Sequence, residues 1–457
     1  MSADFAIDIH KAIDNLLKGP EHPDKEFVRA ATGVSFAVVY SMAASLRAQL
    51  AGSEHRGAAV CLATDNKAII AAALLASLAG GPSLLLPYAF SAQALARMQQ
   101  SAGFTTAISD TKRDFPKGVQ VICPEATGTA AELPIHQSAP STELLKIFTG
   151  GSTGTPQVWT KTRENIFSEG FFHARRYSVT EKDCIMATIP AYHIYGLLFS
   201  VVLPLVSSAT VIDETPSFPS EIARLAKENQ ITILASVPAH YRVLGEAELH
   251  RSLRLAFSSA GMLDKADNEA FCRRNRKGIV EVYGSTETGG IATRNRGQGE
   301  EGFTPFPTID WKIIEGRLAV RSAYISTDLP LDENGYFRAS DRVETLGTNE
   351  FSLKGRADTV TKVGGKRVDL EEIRLLVKNI SGVTDCMVMA LPETGGRENL
   401  IGVLLQGDNV DVELIRKNLA ETLEPYALPR CIKIVDQIPM KSNGKYDRLA
   451  ITRLLKR

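Results

Sequence analysis

A nearly unbroken apolar run, Ala68 to Ala79, constrains this chain more than any other segment. It is the longest such run, and Gly80-Gly81-Pro82 closes it well short of the ~20 residues a bilayer-spanning helix needs. A helix that is apolar all round yet cannot span a membrane belongs in a core. The β-like runs Ala58 to Ala63 and Ser83 to Leu86 flank it, followed by a helix near Ala92 to Ala102 and a β-like run from Thr105 to Ser109. Upstream, Phe36, Val39, Tyr40, Ala43, Leu46 and Leu50 recur at helical spacing behind Thr32 and Ser35, and the pattern stops at Gly52. Such alternation predicts an α/β lobe with a largely parallel sheet.

The rhythm returns with a helix over Glu221 to Glu228 and extended runs over Ile231 to Ser236 and Ile279 to Tyr283, so the large lobe continues past mid-chain. Between Gly302 and Thr348 short β-like runs and the turn signal Asp332-Glu333-Asn334-Gly335 mark a small β-rich section. From Gly355 a fresh pattern starts: a helical stripe of Leu370, Ile373, Val377 and Ile380, apolar runs Cys386 to Leu391 and Leu400 to Leu405, and a helix near Val412 to Thr422. The expected fold is therefore α/β, with an N-terminal domain over residues 1–354 and a small α+β domain over residues 355–457. A chain of 457 residues exceeds what a single core usually supports, which agrees with two or more units.

Lys plus Arg and Asp plus Glu both total 52, so net charge gives no general pull toward nucleic acid or anionic membrane. Six scattered cysteines form no CxxC pair and no metal-ligand spacing, which reads as buried free thiols in a reducing cytoplasm. The N-terminal stretch is broken by charge every few residues and has no apolar export core, and no membrane span is expected.

Four segments carry chemistry. Phe148-Thr149-Gly150-Gly151-Ser152-Thr153-Gly154-Thr155-Pro156 follows the β-like run Leu144 to Ile147. Its small residues let backbone N–H groups converge on an anion, and Ser152, Thr153 and Thr155 can donate to phosphate or reach a metal. No Gly-Lys-Ser/Thr triplet follows, which disfavours ordinary P-loop chemistry. Tyr283-Gly284-Ser285-Thr286-Glu287-Thr288 offers a ring for a purine, a hydroxyl for phosphate and a carboxylate for Mg²⁺; the competing reading is a helix cap. Pro190-Ala191-Tyr192-His193-Ile194-Tyr195-Gly196 sets a histidine among aromatics, and Gly444-Lys445 puts a cation behind a flexible residue. Each has a bland alternative as turn, cap, core histidine or solvated lysine.

In order and wording the four resemble the adenylate-forming superfamily of acyl-CoA synthetases, aryl-CoA ligases, adenylation domains and beetle luciferases, over about residues 30 to 450. Further segments add to the resemblance: Ser258-Ser259-Ala260-Gly261-Met262-Leu263, Gly335-Tyr336-Phe337-Arg338-Ala339-Ser340-Asp341, Gly355-Arg356-Ala357-Asp358 and Lys362-Val363-Gly364-Gly365-Lys366-Arg367-Val368. The resemblance implies ATP and Mg²⁺ as cofactors, a small carboxylic acid as substrate, and activation to acyl-AMP followed by thioester formation. The acceptor is coenzyme A or the phosphopantetheine of a separate acyl carrier protein.

By the same resemblance Thr149 to Thr155 cradle the β- and γ-phosphates, Thr286 holds the α-phosphate, and Glu287 binds Mg²⁺ with Thr153. Ser259, Ala260, Gly261 and Tyr283, with Gly284 and Ser285 behind it, hold adenine; Asp341 accepts from the ribose and Arg356 adds a contact. Lys445 bridges carboxylate and α-phosphate as the catalytic lysine of a mobile C-terminal domain. That domain is expected to turn about Asp358 and to present Gly364, Gly365 and Lys366 in the thiol step. His193 gates an acyl pocket walled by Tyr192, Gly196, Val237, Met262 and Gly289. An amino-acid substrate would need a carboxylate near Tyr192 to Gly196, and none stands there, so a fatty or aryl acid is expected. The chain departs from the family at Gln157, where a lysine usually stands; Lys161 and Arg163 are the nearby cations. A non-catalytic nucleotide-binding regulator is the reading from another class, and homodimerisation stays open.

Overall fold

The computed structural model describes residues 7–51, 59–124, 133–135, 139, 141–149, 157–245, 247–356, 360–363, 366–392, 399–408, 410–423, 425–441 and 444–456. They fall into two compact units: residues 1–310 with 321–337, and residues 311–320 with 338–457.

In the first unit the helix Lys67–Leu78 is buried along all 12 residues. Its partners explain why: it packs on the strands Leu84–Leu86 and Glu143–Thr149 of one sheet, Glu26–Arg29 of another, and the helix Phe36–Gln49. Asn66 caps it through Oδ1, which accepts from the amides of Ala68 and Ile69. Lys67, wholly buried, donates through Nζ to the carbonyls of Ile212 at 3.0 Å and Glu214 at 3.3 Å and to that of Asp213. Burial pushes this amine down to about 8, so the helix start is tied to the neighbouring sheet by a cation shared among carbonyls.

The six-stranded sheet runs Gln120–Ile122, Thr106–Ile108, Val60–Leu62, Leu84–Leu86, Glu143–Thr149, Gln157–Thr162. All its pairings are parallel except the last, a hairpin that joins Thr149 to Gln157 in register. The nine-stranded sheet has a parallel centre in the order Ile279–Ser285, Leu255–Ser258, Ile233–Ser236, Cys184–Ala187, Thr210–Ile212, Glu26–Arg29, with antiparallel strands at both edges. The strands Leu255–Ser258, Ile233–Ser236, Cys184–Ala187 and Thr210–Ile212 are short and largely apolar because both faces are covered. Met186, Leu234, Ala256 and Ile279 join Ile222, Leu225, Tyr241 and Phe271 of the covering helices in one cluster.

The second unit holds a four-stranded sheet over Asp310–Ile314, Arg317–Arg321, Phe337–Leu346 and Glu350–Arg356, then a two-stranded ribbon and a three-stranded sheet. In the strand Val383–Pro392, Cys386 and Val388 face a core shared with the helices Leu370–Lys378 and Val412–Thr422. Met389 and Leu391 face the other side, against Ile451 and Leu455 of the helix Arg448–Lys456. The period-two alternation thus builds a sheet with helices on both faces, the expected α+β arrangement.

All six cysteines are free thiols, with Cys61, Cys184 and Cys386 buried but Cys123 exposed. Among the described residues no helix is long and apolar enough to cross a membrane.

Candidate active site

Four of the sequence-marked segments leave the carboxyl ends of four neighbouring parallel strands. The Tyr192–Gly196 segment follows Cys184–Ala187, Val237 follows Ile233–Ser236, Ser259 to Met262 follow Leu255–Ser258, and Thr286 and Glu287 follow Ile279–Ser285. With neighbouring strands about 4.8 Å apart, the four ends line a rim about 15 Å long. Open parallel sheets bind ligands at such carboxyl ends because the loops there are free to vary while the strands fix their roots.

Ser259 stitches the rim. Its amide donates to the Ser236 carbonyl at 3.4 Å and its hydroxyl to that of Val282 at 2.8 Å. Ala260 turns into the left-handed region at φ 70°, and Gly261 and Met262 are exposed. Val237 is buried at 1% exposure. Beside it the Thr188 hydroxyl lies 2.8 Å from both Ser236 Oγ and His240 Nδ1, and burial lowers His240 below the usual imidazole range.

His193 occupies the N-cap of the helix Ile194–Leu197, with its carbonyl accepting from Leu197 N at 2.7 Å. Its ring sits 4.6 Å from Tyr192, which meets Phe90 edge-on at 4.7 Å. The helix passes into a π-helical turn, Leu198–Val202, a distortion common at functional sites. Gly196 is required by packing: a Cβ there would lie 2.1 Å from the Pro190 carbonyl oxygen.

Residues 283 to 288 do not cap a helix. The strand Ile279–Ser285 turns back antiparallel into Gly289–Arg294 with Ser285 opposite Gly289, so Thr286, Glu287 and Thr288 form a hairpin tip. Ser285 Oγ and Thr288 Oγ1, 3.1 Å apart, close the turn from within. Tyr283 packs its ring 5.7 Å from Phe303, with the Arg294 guanidinium 4.3 Å above Phe303.

Behind the tip lies a buried ionisable group that the motifs do not reveal. Lys161, 1% exposed, donates through Nζ to the carbonyls of Glu287 at 3.0 Å and Tyr324 at 2.9 Å. Burial pushes it down to about 8. Glu169 accepts from Gly290 N at 2.8 Å and stands 3.6 Å from His173 Nε2. Arg163 is likewise buried, with Nη2 on the Ser77 carbonyl at 3.0 Å. Neither cation near Gln157 therefore faces solvent to replace a phosphate-loop lysine. Nothing in the local sequence marks the burial of Lys161 and Glu169: Lys161 stands between Thr160 and Thr162, and Glu169 between Ser168 and Gly170.

Within the second unit, Asp341 and Arg356 are direct cross-strand partners, with a register shift just after Asp341. Lys445 is exposed on a tight turn in which Lys441 N donates to its carbonyl at 2.7 Å and Gly444 adopts φ 73°. Lys366 opens the strand Lys366–Asp369, paired with Val363. Gly150, Gly151, Ser152, Thr153, Gly154, Thr155, Asp358, Gly364 and Gly365 lie outside the described residues; Thr149 ends its strand opposite Gln157.

The sequence model of the AMP-binding enzyme family matches residues 18–336. Among curated proteins, a sulfoacetate–CoA ligase of Cupriavidus necator is 23% identical over 77% of this chain and 75% of its own. A 4-coumarate–CoA ligase of Halorhodospira halophila is 26% identical over 70% of this chain and 78% of its own. Among solved structures, ATP-bound MatB from Rhodopseudomonas palustris superposes with TM-score 0.83 at 17% identity, covering 98% of this chain and 99% of that one. O-succinylbenzoate coenzyme A synthetase from Bacillus subtilis, with ATP and magnesium ion, gives 0.80 at 18% identity over 98% and 99%. With the family model spanning well over half of its length, the chain belongs to the AMP-binding enzymes, the adenylate-forming superfamily.

Proposed function

We propose that this enzyme is an AMP-forming acid–thiol ligase acting on an apolar carboxylic acid with coenzyme A as acceptor. In the first step a carboxylate oxygen attacks the α-phosphorus of ATP, and the bond to pyrophosphate breaks. In the second a thiolate attacks the acyl carbonyl, and AMP leaves. The observation that carries the reading is the common rim: the histidine segment, Val237, the adenine loop and the acidic hairpin rise from four adjacent strand ends in a chain of this family.

We assign Thr286 to the α-phosphate, Ser259 to Gly261 and Tyr283 to adenine, Asp341 and Arg356 to the ribose side, and Thr149 to Thr155 to the terminal phosphates. Lys445 neutralises charge as the carboxylate attacks. We place the functional boundary between residues 354 and 355, with Asp358 as pivot and the 364–366 loop serving the thiol step. Mg²⁺ fits the donor set. Among the described residues no group of three His, Cys, Asp or Glu could hold a metal, whereas a lone carboxylate such as Glu287 suits an ion that keeps waters and shares phosphate oxygens. Bound there, Mg²⁺ would offset charge on the phosphates.

The aromatic pair Phe90 and Tyr192 beside His193 supports an aryl or fatty acid. The coenzyme A ligases among the relatives support the acceptor. The test is product analysis with ATP, coenzyme A and a panel of aryl, fatty and dicarboxylic acids. Acyl-CoA formed with equimolar AMP is expected; adenylate that accumulates without thioester would shift the acceptor to a carrier protein.

A further inference from the structure

The strand Gln157–Thr162 does more than pair with Glu143–Thr149. Its penultimate residue, Lys161, sends a wholly buried ammonium to the carbonyl of Glu287, the residue whose side chain is assigned to the metal. The same carbonyl accepts from Ser326 N at 2.7 Å. Ser326 in turn donates through Oγ to the Thr160 carbonyl at 2.8 Å, and Asp328 accepts from Thr160 N. On the return strand of the hairpin Gly290 N donates to Glu169, whose other oxygen lies 2.7 Å from where a Cβ on Gly289 would stand. Three segments, 157–162, 285–290 and 322–328, are therefore knotted at one carbonyl.

An ammonium taken fully out of water costs several kcal/mol and has to be offset by well-placed acceptors. Here Lys161 donates to two main-chain carbonyls, those of Glu287 and Tyr324, and the opposite charge of Glu169 lies close by. A leucine or methionine would fill the same volume without that cost, so the amine is best explained by what it fixes. We infer that Lys161, bracketed with Glu169, is a positioning residue for acid activation: it holds the Glu287 main chain so that the adjacent carboxylate meets the metal-bound nucleotide. The inference rests on the ligase reading above. Supports one shell behind a metal-binding group typically govern affinity by about 10–100-fold.

The test compares wild type, Lys161→Met and the paired Lys161→Met/Glu169→Gln, which removes the carboxylate the single variant would strand. Calorimetric titration with ATP, with and without Mg²⁺, gives the metal's enhancement of ATP affinity. That enhancement is expected to fall about tenfold or more in both variants while metal-free ATP binding stays within about twofold. Acid-dependent ATP/pyrophosphate exchange should lose kcat with the KM for the acid unchanged. If Lys161→Met does not fold, the paired variant decides alone. Unaltered Mg²⁺ enhancement, or a paired variant that cannot fold, overturns the inference by making Lys161 a stability residue only. Absence of exchange in the wild type would instead sink the ligase reading, and the two failures are thereby distinct.

Discussion

Replacing Gly196 by alanine places a methyl group 2.1 Å from the Pro190 carbonyl oxygen, 2.7 Å from the Pro190 carbonyl carbon and 2.8 Å from the Ile189 oxygen. All three are backbone atoms, so no side-chain rotation relieves the contact. Reaching ordinary contact at 3.4 Å requires the 189–190 segment or the helix start to retreat by roughly 1.3 Å. Overpacking of this kind costs about 1–3 kcal/mol, and alanine's better helix propensity returns about 1 kcal/mol of that. The net loss of stability is thus about 0–2 kcal/mol. The effect on chemistry should be larger, because the retreating segment leads directly to Tyr192 and His193. A displacement near 1 Å at a reacting group typically costs about 100-fold in rate. Thermal melting and ATP/pyrophosphate exchange measured on the same preparation check both figures. Gly196→Ala with unchanged melting and exchange within about twofold of wild type would refute the reasoning that this rim is rigidly packed.

Asp183 accepts from both Arg254 Nε and Nη2 at 2.7 Å and from the Thr232 hydroxyl at 2.7 Å. Burial alone would raise its carboxyl, but these donors and the Thr180 amide outweigh it and hold it below the usual range. Asp183→Asn should lose about 2–3 kcal/mol in urea unfolding at pH 7, less than for a fully buried pair because Arg254 is partly exposed. Since the folded carboxyl titrates below its unfolded value, its contribution is complete above the ordinary carboxylate range and vanishes as pH falls through the folded value. The gap between variant and wild type should therefore narrow only below about pH 4. Lys445→Ala should lower stability by no more than about 1 kcal/mol, since the side chain is exposed, yet reduce acid-dependent exchange by about 100–1,000-fold. Thioester formation from synthetic acyl-AMP should be far less affected, which a single-turnover assay would show.

Periodicity carried the elements whose faces are sharply divided. The helices Ala92–Ala102 and Val412–Thr422 begin and end where their patterns do, because Ser91 caps the first and Gly103 ends it at φ 70°, and Asp411 caps the second. The parallel centre of the large sheet was legible as apolar runs between helices. What periodicity could not convey was pairing across distance. The acidic segment 283–288 reads equally as cap or turn, and only the return strand Gly289–Arg294 decides for a hairpin. Lys161 and Glu169 were visible as charges, but their burial depends on Tyr324, Ser326 and Gly290, more than one hundred residues away. The motif residues could be named from their wording, whereas the groups that hold them have none.

Adenylation is read out by carboxylate-dependent exchange of labelled pyrophosphate into ATP. Exchange above the acid-free background with at least one aryl or fatty acid, abolished by EDTA and nearly abolished in Lys445→Ala, is the predicted result. ATP that binds while exchange stays at background across the whole acid panel would contradict the account and leave a nucleotide-binding regulator in its place.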